Sequence, residues 1–422
     1  MKKHVSLVGI IVGLVSLGVV ADAPLRPVCT KSRPTLAINE DNDHFFKLDA
    51  SWMNREGLVR YLDEVLQGPV THFVMCVNGQ RTSYDSKTWE PIWAGLDEPA
   101  RKDTATAPDG TRDRWAVNAK ILFDQGIDPY EVWIAECRKK GVSPWVSIRM
   151  NDIHNTFMTN YFRNTTFSRT RRDLWRDPNA TTDIYGHAFD FAHKEVRDYT
   201  MAQVAEMAER WDSDGIELDW MRFPLHLRAG REREDAHFLT EFMRQARETV
   251  NAVARRKGRK MRLAVRLPRS PQLAKLAGYE VDVWLRERLM DVVIGSSVFL
   301  PDPDLPVAEW RKFVSSHNPD VVFLPSIDCF MLPDIAHFRG MAWQYQQGGV
   351  TGLYLFNAPY CGRRDTDGRK HDEDTFGIVC REGLSVDVIK GTPMKLPSPR
   401  VDFPSSKAGF VSKVDVSKAG NK

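Results

Sequence analysis

The chain has 422 residues, of which 42% are hydrophobic and 27% are charged, and its formal net charge is +3. This composition is typical of a globular protein with one large domain or two ordinary ones. The nearly balanced charge argues against nucleic acid as a partner. The sequence contains no CxxC, no HExxH and no glycine-rich phosphate loop, and it predicts neither a cofactor nor a bound metal.

The first 23 residues have the pattern of an export signal. Residues 2–4 are basic, residues 5–20 form an apolar run, and Ala21-Asp22-Ala23 fits a small-x-small cleavage site. We therefore expect a secreted or periplasmic protein with no membrane association once the signal is removed; an uncleaved anchor is the alternative. Because export permits disulfides, Cys361 and Cys380 are the predicted pair.

Strand and helix patterns alternate along the rest of the chain. Helical periodicity covers residues 54–66, 128–140, 194–211, 233–257, 306–316 and 333–347. Pro129 and Pro333 are predicted to stand at the first position of their helices. Eight strands are predicted at 35–39, 71–78, 143–151, 215–222, 261–267, 291–297, 321–328 and 351–357.

This alternation predicts an α/β fold, a single (β/α)₈ TIM barrel over residues 34–360 with long loops at its C-terminal mouth. Residues 361–422 are interpreted as a C-terminal loop and tail. An open doubly wound sheet is the alternative fold, but it would be expected to carry a glycine-rich first turn.

One face of each predicted strand ends in a polar residue. In a barrel these residues converge at the C-terminal mouth, where active sites lie. The series, in strand order, is Asn39, Asn78, Arg149 with Asn151, Glu217 with Asp219, Arg266, Ser297, Asp328 and Asn357.

Two predicted loops at this mouth are long. Residues 79–127 contain Trp89, Trp93 and Trp115, which suit stacking against sugar rings. Residues 152–192 are rich in arginine, which indicates either a solvated charged loop or attraction of an anionic substrate.

The fourth strand carries two carboxylates on one face. Ile216 and Leu218 point to the apolar face, whereas Glu217 and Asp219 point to the other. Strands four and seven lie nearly opposite each other in an eight-stranded barrel, so these acids are expected to face Asp328. Paired carboxylates across a concave mouth suit glycoside hydrolysis, with one acting as the acid and the other as nucleophile or base.

The predicted catalytic residues therefore have distinct roles. Asp219 is the nucleophile or base, Asp328 the acid, and Glu217 orients Asp219 or a substrate hydroxyl. Arg149 and Arg266 are expected to flank Asp219 and keep it ionised. Asp41, Asp43 and Asp152, together with His154 and His187, are alternates for the acid, and the predicted substrate-binding residues are Asn78, Arg149, Asn151, Asp152, His154, Arg222, Arg266 and Asn357.

The segment DGIELDWMRFP, residues 214–224, resembles the fourth strand of bacterial glycosyl-hydrolase-like barrel proteins, which has the form DG(I/V)xxDxxR(F/Y)P. The resemblance extends to WVSIRMNDIH and FDFAHKEVRDY, and it implies a (β/α)₈ fold and a carbohydrate-active enzyme. The strand is also similar to the DGxDxDxE motif of family 18 chitinases through Asp214, Gly215, Glu217 and Asp219. Met221 stands where the catalytic Glu of that motif would be, which argues against a chitinase mechanism.

These observations predict a secreted glycoside hydrolase that cleaves a polysaccharide or oligosaccharide, including an anionic one. A non-catalytic glycan-binding barrel is the first alternative. A hydrolase that uses His154, His187 and nearby aspartates around a metal is the second. Carbohydrate is the predicted partner, and no oligomeric state is predicted.

Overall fold

The structure is a computed structural model. No helix of its described residues is long and apolar enough to cross a membrane. The structure describes residues 34–96, 113–158, 161–181, 183–297, 301–329, 332, 334–360 and 375–382. The predicted signal, Cys361 and most of the predicted tail lie outside these ranges.

Eight parallel strands pair in chain order, and the eighth pairs with the first to close the barrel. The predicted TIM barrel is confirmed, and the open sheet is excluded. Most strands end one to three residues before the predicted end, where the backbone leaves the sheet ladder. The strands are β1 (Leu36–Glu40), β2 (His72–Cys76), β3 (Ser143–Arg149), β4 (Gly215–Asp219), β5 (Arg262–Leu267), β6 (Val292–Gly295), β7 (Val322–Asp328) and β8 (Leu353–Phe356).

The six predicted helices are present, and others lie in segments where no helix was predicted. The additional helix at residues 114–124 had a helical signal, because Trp115, Ala119 and Leu122 are buried at helical spacing. The helices are α1 (Arg55–Val65), α2 (Arg114–Asp124), α3 (Pro129–Lys139), α4 (Thr166–Thr170), α5 (Lys194–Arg210), α6 (Ala236–Arg256), α7 (Pro271–Leu276), α8 (Val281–Arg286), α9 (Val307–His317), α10 (Ile335–Gln347) and α11 (Thr375–Glu382).

Two helix starts were predicted from proline. Helix α3 begins at Pro129 as expected, and the Asp128 carboxylate accepts hydrogen bonds from the backbone N–H groups of Tyr130 and Glu131. Helix α10 begins two residues later than predicted, at Ile335. Asp334 caps it by accepting a 2.9 Å hydrogen bond from the backbone of His337, so an Asx cap sets this start.

The strands bury both faces, as expected of a parallel barrel. Ile216 and Leu218 face the helices, and Trp220, just past the strand, packs against Phe191 and Phe242. The opposite face fills the barrel interior. Its apolar layer contains Ala37, Val74, Trp145, Ala264, Val292, Ile294, Leu324, Tyr354 and Phe356.

Gly215, the glycine of the fourth-strand motif, makes room for a tryptophan inside the barrel. A Cβ atom at residue 215 would lie 2.5 Å from Cε3 of Trp145, the paired residue on β3. Backbone atoms on both strands are fixed by the sheet, so the ring has little freedom to retreat. The indole ring of Trp145 therefore occupies the space that a side chain at position 215 would need.

Helix α11, which lies beyond residue 360, packs on the barrel. Val379 and Cys380 are fully buried in the main core cluster. Arg339 of α10 donates two hydrogen bonds to the Glu382 carboxylate, at 2.6 and 2.8 Å. This part of the predicted tail therefore packs on the barrel. Cys380 is a buried free cysteine, which contradicts its predicted disulfide with Cys361.

We expect Gly215→Ala to lower the free energy of unfolding by about 1–3 kcal/mol, because the added methyl overpacks the interior. The measurement is urea denaturation of the purified protein. In a double-mutant cycle, Trp145→Leu should cost less in the Gly215→Ala background than alone, since the smaller side chain relieves the clash. Wild-type stability of Gly215→Ala, or strictly additive costs, would contradict this packing account.

Candidate functional site

A cavity of about 290 Å³ opens at the C-terminal mouth of the barrel. Its walls come from the segments that follow β1, β2, β3, β4 and β8, and from α2. Such a position is where barrel enzymes carry their active sites. The lining residues are Asp41, Asn42, Asp43, Lys47, Gly79, Gln80, Trp115, Arg149, Asp152, His154, Arg163, Arg222 and Asn357.

Arg149, at the end of β3, joins two acids of the cavity wall. Its guanidinium donates to Asp152 at 2.8 Å and forms an ion pair with Asp41, beyond β1. Only 4% of the Arg149 side chain is exposed. Burial opposes ionisation of both carboxyls, but Arg149 at Asp41, and His154 followed by Arg149 at Asp152, hold both pKa values well below their usual range. Both acids are therefore ionised at neutral pH.

Asp219 lies beside this wall and does not line the cavity. Arg266 of β5 donates to both of its carboxylate oxygens at 2.9 Å, as predicted. The backbone N–H groups of Met221 and Arg222 donate to Oδ1 as well. Arg149 does not flank Asp219 as predicted, because its guanidinium is directed to Asp41 and Asp152. The Asp219 carboxylate is thus held in a fixed position and is 2% exposed.

Glu217 lies deeper, in the polar part of the barrel interior. Ser147 donates a 2.7 Å hydrogen bond to its carboxyl, and the hydroxyl of Tyr354 lies beside it. Burial, then the neighbouring Asp219 charge, raises the pKa of Glu217 to about 7. Glu217 and Asp219 therefore differ in their environments: one is desolvated, and the other is compensated by an arginine.

Asp328, the predicted acid, ends β7 and is 2% exposed. Asn357 donates to it over a long 3.5 Å contact. Asn357 itself lines the cavity with a positive φ of 54°, and its side-chain oxygen has no hydrogen-bond partner within the described part of the chain. Asp219 contacts the cavity-lining Arg222, and Asp328 contacts the cavity-lining Asn357. Both acids therefore lie directly behind the cavity wall.

Two predicted substrate-binding asparagines bind the protein backbone. The Asn78 side chain accepts from the Arg149 N–H and donates to the carbonyls of Gly79 and Arg149. Asn151 likewise accepts from the N–H of Phe189 and donates to the carbonyls of Phe189 and Leu225. Both side chains hold the loops around the mouth, and neither lines the cavity.

The other predicted binding residues lie either on the cavity wall or directly behind it. Arg149, Asp152, His154, Arg222 and Asn357 line the cavity, whereas Arg266 lies behind it.

Several wall residues were not predicted. Trp115 was singled out only for stacking, yet it lies in α2 and is held by a 2.8 Å hydrogen bond from its indole N–H to Ser83. Gly79 approaches this ring closely, because a Cβ there would lie 3.1 Å from it. Asp41 and Asp43, in the acidic run after β1, were predicted as alternates for the acid, and both line the cavity. The remaining unpredicted residues are Asn42, Lys47, Gln80 and Arg163.

The arginine-rich loop contributes little charge to the cavity. Arg163 lines it and is paired with Asp113 at 2.5 Å. Arg171 pairs with Asp173 instead, and the buried Arg176 donates to a backbone carbonyl of Tyr185. Most of this basic run therefore serves the loop itself.

Three buried residues after β1, Asp41, Asp43 and His44, place potential metal-ligand atoms within 4.8 Å of one another. Arg149 already pairs with Asp41, and Lys47 pairs with Asp43 at 2.7 Å. These cations supply the charge that a metal would bring, so the set fits a salt-bridge network better than a metal centre. The predicted cluster of His154 with His187 does not form, since the His187 ring contacts Thr156 and Ala180.

No family model matches the chain, and no curated protein matches it. Among solved structures it is similar to α-L-fucosidase isoenzyme 2 from Paenibacillus thiaminolyticus, with 11% identity, a TM-score of 0.53, and coverage of 85% of this chain and 50% of the fucosidase. The chain thus spans half the length of that enzyme. It is also similar to the PgaB (BpsB) glycoside hydrolase domain from Bordetella bronchiseptica, with 10% identity, a TM-score of 0.51, and coverage of 84% and 99%. At these identities the likeness shows the barrel fold.

The raised pKa of Glu217 predicts a pH-dependent stability. The folded state keeps this proton up to about pH 7, whereas the unfolded chain loses it near the ordinary value of 4.5. The group therefore lowers stability as pH rises from about 4.5 to 7, by on the order of 3 kcal/mol.

We expect Glu217→Gln to become more stable relative to wild type as pH rises through this window, as measured by urea denaturation. The exposed Glu56→Gln is the control and should show no such trend. A constant difference between Glu217→Gln and wild type would contradict the assignment.

Proposed function

We propose that this chain is an exported glycoside hydrolase that cleaves a polysaccharide or oligosaccharide in the cavity at the barrel mouth. The proposal depends mainly on one observation: the carboxylates of Asp41, Asp43 and Asp152 line the same cavity as the ring of Trp115. Carboxylates suit acid–base or nucleophilic chemistry at a glycosidic bond, and an aromatic ring suits a sugar face. The fold likeness to a fucosidase and to a glycoside hydrolase domain supports the proposal by analogy.

Asp219 keeps its proposed role as nucleophile or base in this scheme. Arg266 donates to both carboxylate oxygens and so fixes the orientation of the side chain, as a nucleophile requires. Asp328 keeps the proposed role of acid, next to Asn357 on the wall.

A glycan-binding barrel without catalysis is the second candidate. One observation favours it: the carboxylates of Asp41, Asp152 and Asp219 are all engaged by arginines. Acids engaged in this way hold a structure together and are poor proton donors. The two candidates predict the same binding and differ in turnover.

The test is release of reducing ends from a panel of polysaccharides and oligosaccharides that includes sulfated and uronic-acid glycans. We expect the purified chain to release reducing ends from at least one member. Equilibrium binding to the same panel is measured in parallel. Binding without release on every glycan bound would support the second candidate and contradict the hydrolase.

With an active glycan identified, we expect Asp219→Asn to lower kcat by about 10³-fold or more, since the amide is neither nucleophile nor base. The amide oxygen still accepts from Arg266, so the fold should persist. Asp214→Asn is the matched control. Asp214 precedes the same strand, at its other end, and binds Ser143 and Arg138, so turnover should stay near normal. Near-normal turnover of Asp219→Asn would transfer the role to the wall acids Asp41 and Asp152.

A further inference from the structure

The chain that follows β3 leaves the cavity wall and returns to it. His154, whose Nδ1 atom lies 2.9 Å from a carboxylate oxygen of Asp152, lines the cavity, and Arg163 lines it again farther along the chain. We call the described residues between these two positions, 155–158 and 161–162, the rim loop. Phe157 is three residues from His154, so its backbone lies within about 11 Å of a wall residue.

The rim loop is held in place by the side chain of Asn164, which is 2% exposed. Its Nδ2 atom donates to the carbonyl of Met158 at 2.9 Å, and its Oδ1 atom accepts from the cavity-lining Gln80 at 3.0 Å. Asn155 turns the chain with a positive φ of 60°, a conformation that asparagine adopts more readily than most residues. One buried amide therefore joins the rim loop to the cavity wall.

Two neighbouring apolar side chains of the rim loop face solvent. Phe157 is 56% exposed and Met158 is 41% exposed. Elsewhere in the described part of the chain, Phe123 is the one large apolar residue with comparable exposure. Thr156, directly before the pair, is buried and contacts His187 at 3.1 Å, so an anchored backbone presents the two side chains. Apolar residues exposed singly are common, whereas contiguous ones beside a cavity are typical of a ligand-binding surface.

The cavity is too small to enclose a long glycan. Its volume of about 290 Å³ is just under the range of about 300–1,000 Å³ that sites for small molecules span. A polysaccharide or a long oligosaccharide with one end in the cavity therefore continues outside it, past the rim. The C–H face of a sugar ring is apolar, and it is complementary to the phenyl ring of Phe157 and to the thioether of Met158.

We propose that Phe157 and Met158 form an outer sugar-binding subsite, which takes the apolar face of a sugar unit that lies outside the cavity. This inference rests on the proposed function, and it adds that the substrate has more sugar units than the cavity holds. The contact is remote from the bond that is cleaved, so it stabilises the bound substrate and the transition state alike. Its loss is therefore expected to raise KM more than it lowers kcat.

The test uses oligosaccharides of increasing length, prepared from a glycan that the wild-type chain cleaves. We expect kcat/KM of wild type to rise with the number of sugar units until the glycan reaches the rim loop. Phe157→Ser should lower the ratio of kcat/KM for the longest member to that for the shortest by about tenfold, because the apolar contact is lost. Phe157→Tyr, which keeps the ring, should retain the wild-type ratio.

Phe123→Ser is the matched control. Phe123 is 42% exposed, so this substitution also removes an exposed phenyl ring. It lies at the opposite end of α2 from the cavity-lining Trp115, and it does not line the cavity. The length dependence of kcat/KM should equal that of wild type. Circular dichroism of each variant checks that the fold is retained.

Equilibrium binding of the same series gives a readout that is independent of turnover. The dissociation constants of Phe157→Ser should show the same loss of length dependence, also where the wild-type chain binds glycans without cleaving them. An unchanged length dependence in Phe157→Ser would overturn the inference and leave the proposed function intact. A wild-type chain that neither cleaves nor binds any glycan defeats the proposed function and this inference together, before any variant is made.

A second copy of this chain is the other occupant that the test distinguishes. Sedimentation of wild type and Phe157→Ser is measured over a range of protein concentrations without glycan. We expect the two proteins to show the same mass. A wild-type dimer that dissociates in Phe157→Ser would assign the exposed pair to self-association and overturn the inference.

Discussion

The buried charge of Arg149 is the constraint on which the barrel mouth depends. One guanidinium, almost fully removed from water, pairs with an acid that follows β1 and with another that follows β3. A buried ion pair is costly to assemble, and removing one partner leaves uncompensated charge inside the protein. The two segments are therefore fixed relative to each other by charge as well as by sheet hydrogen bonds. The acidic wall, the orientation of His154 through Asp152, and the shape of the cavity all follow from this arrangement.

The interior beneath this mouth is graded from apolar to charged. Lower positions of the strands place Trp145 and Val74 inside, and the next layer places Glu217 with Ser147 and Tyr354. The uppermost layer carries the compensated pair of Asp219 and Arg266. Strand periodicity alone puts all these side chains on one face, but the depth of Glu217 in the barrel raises its pKa. Neighbouring carboxyls on a single strand thus have different surroundings.

The sequence predicted the fold more fully than the site. Strand alternation and helical periodicity are local properties, and the eight strands and their inward faces followed from them. Which carboxylates line the cavity depends on the paths of the loops and on which acid each arginine pairs with. Arg149 was predicted to bind Asp219 because they are paired across β3 and β4, yet its long side chain reaches Asp41 and Asp152. Asn78 was predicted to bind substrate. Its side-chain amide instead forms hydrogen bonds with the backbone N–H and C=O of Arg149, which the sheet leaves without partners at the strand end.

Helix α11 bears on how this chain can be shortened. A protein ending at residue 360 would match the simplest barrel boundary, but it would lose Val379 and Cys380 from the core and strip Arg339 of its carboxylate partner. Apolar surface on α10 would then face water, which favours self-association. Expression trials of the isolated barrel therefore gain solubility by retaining residues through Glu382, and a fusion partner is better joined after that helix than before it.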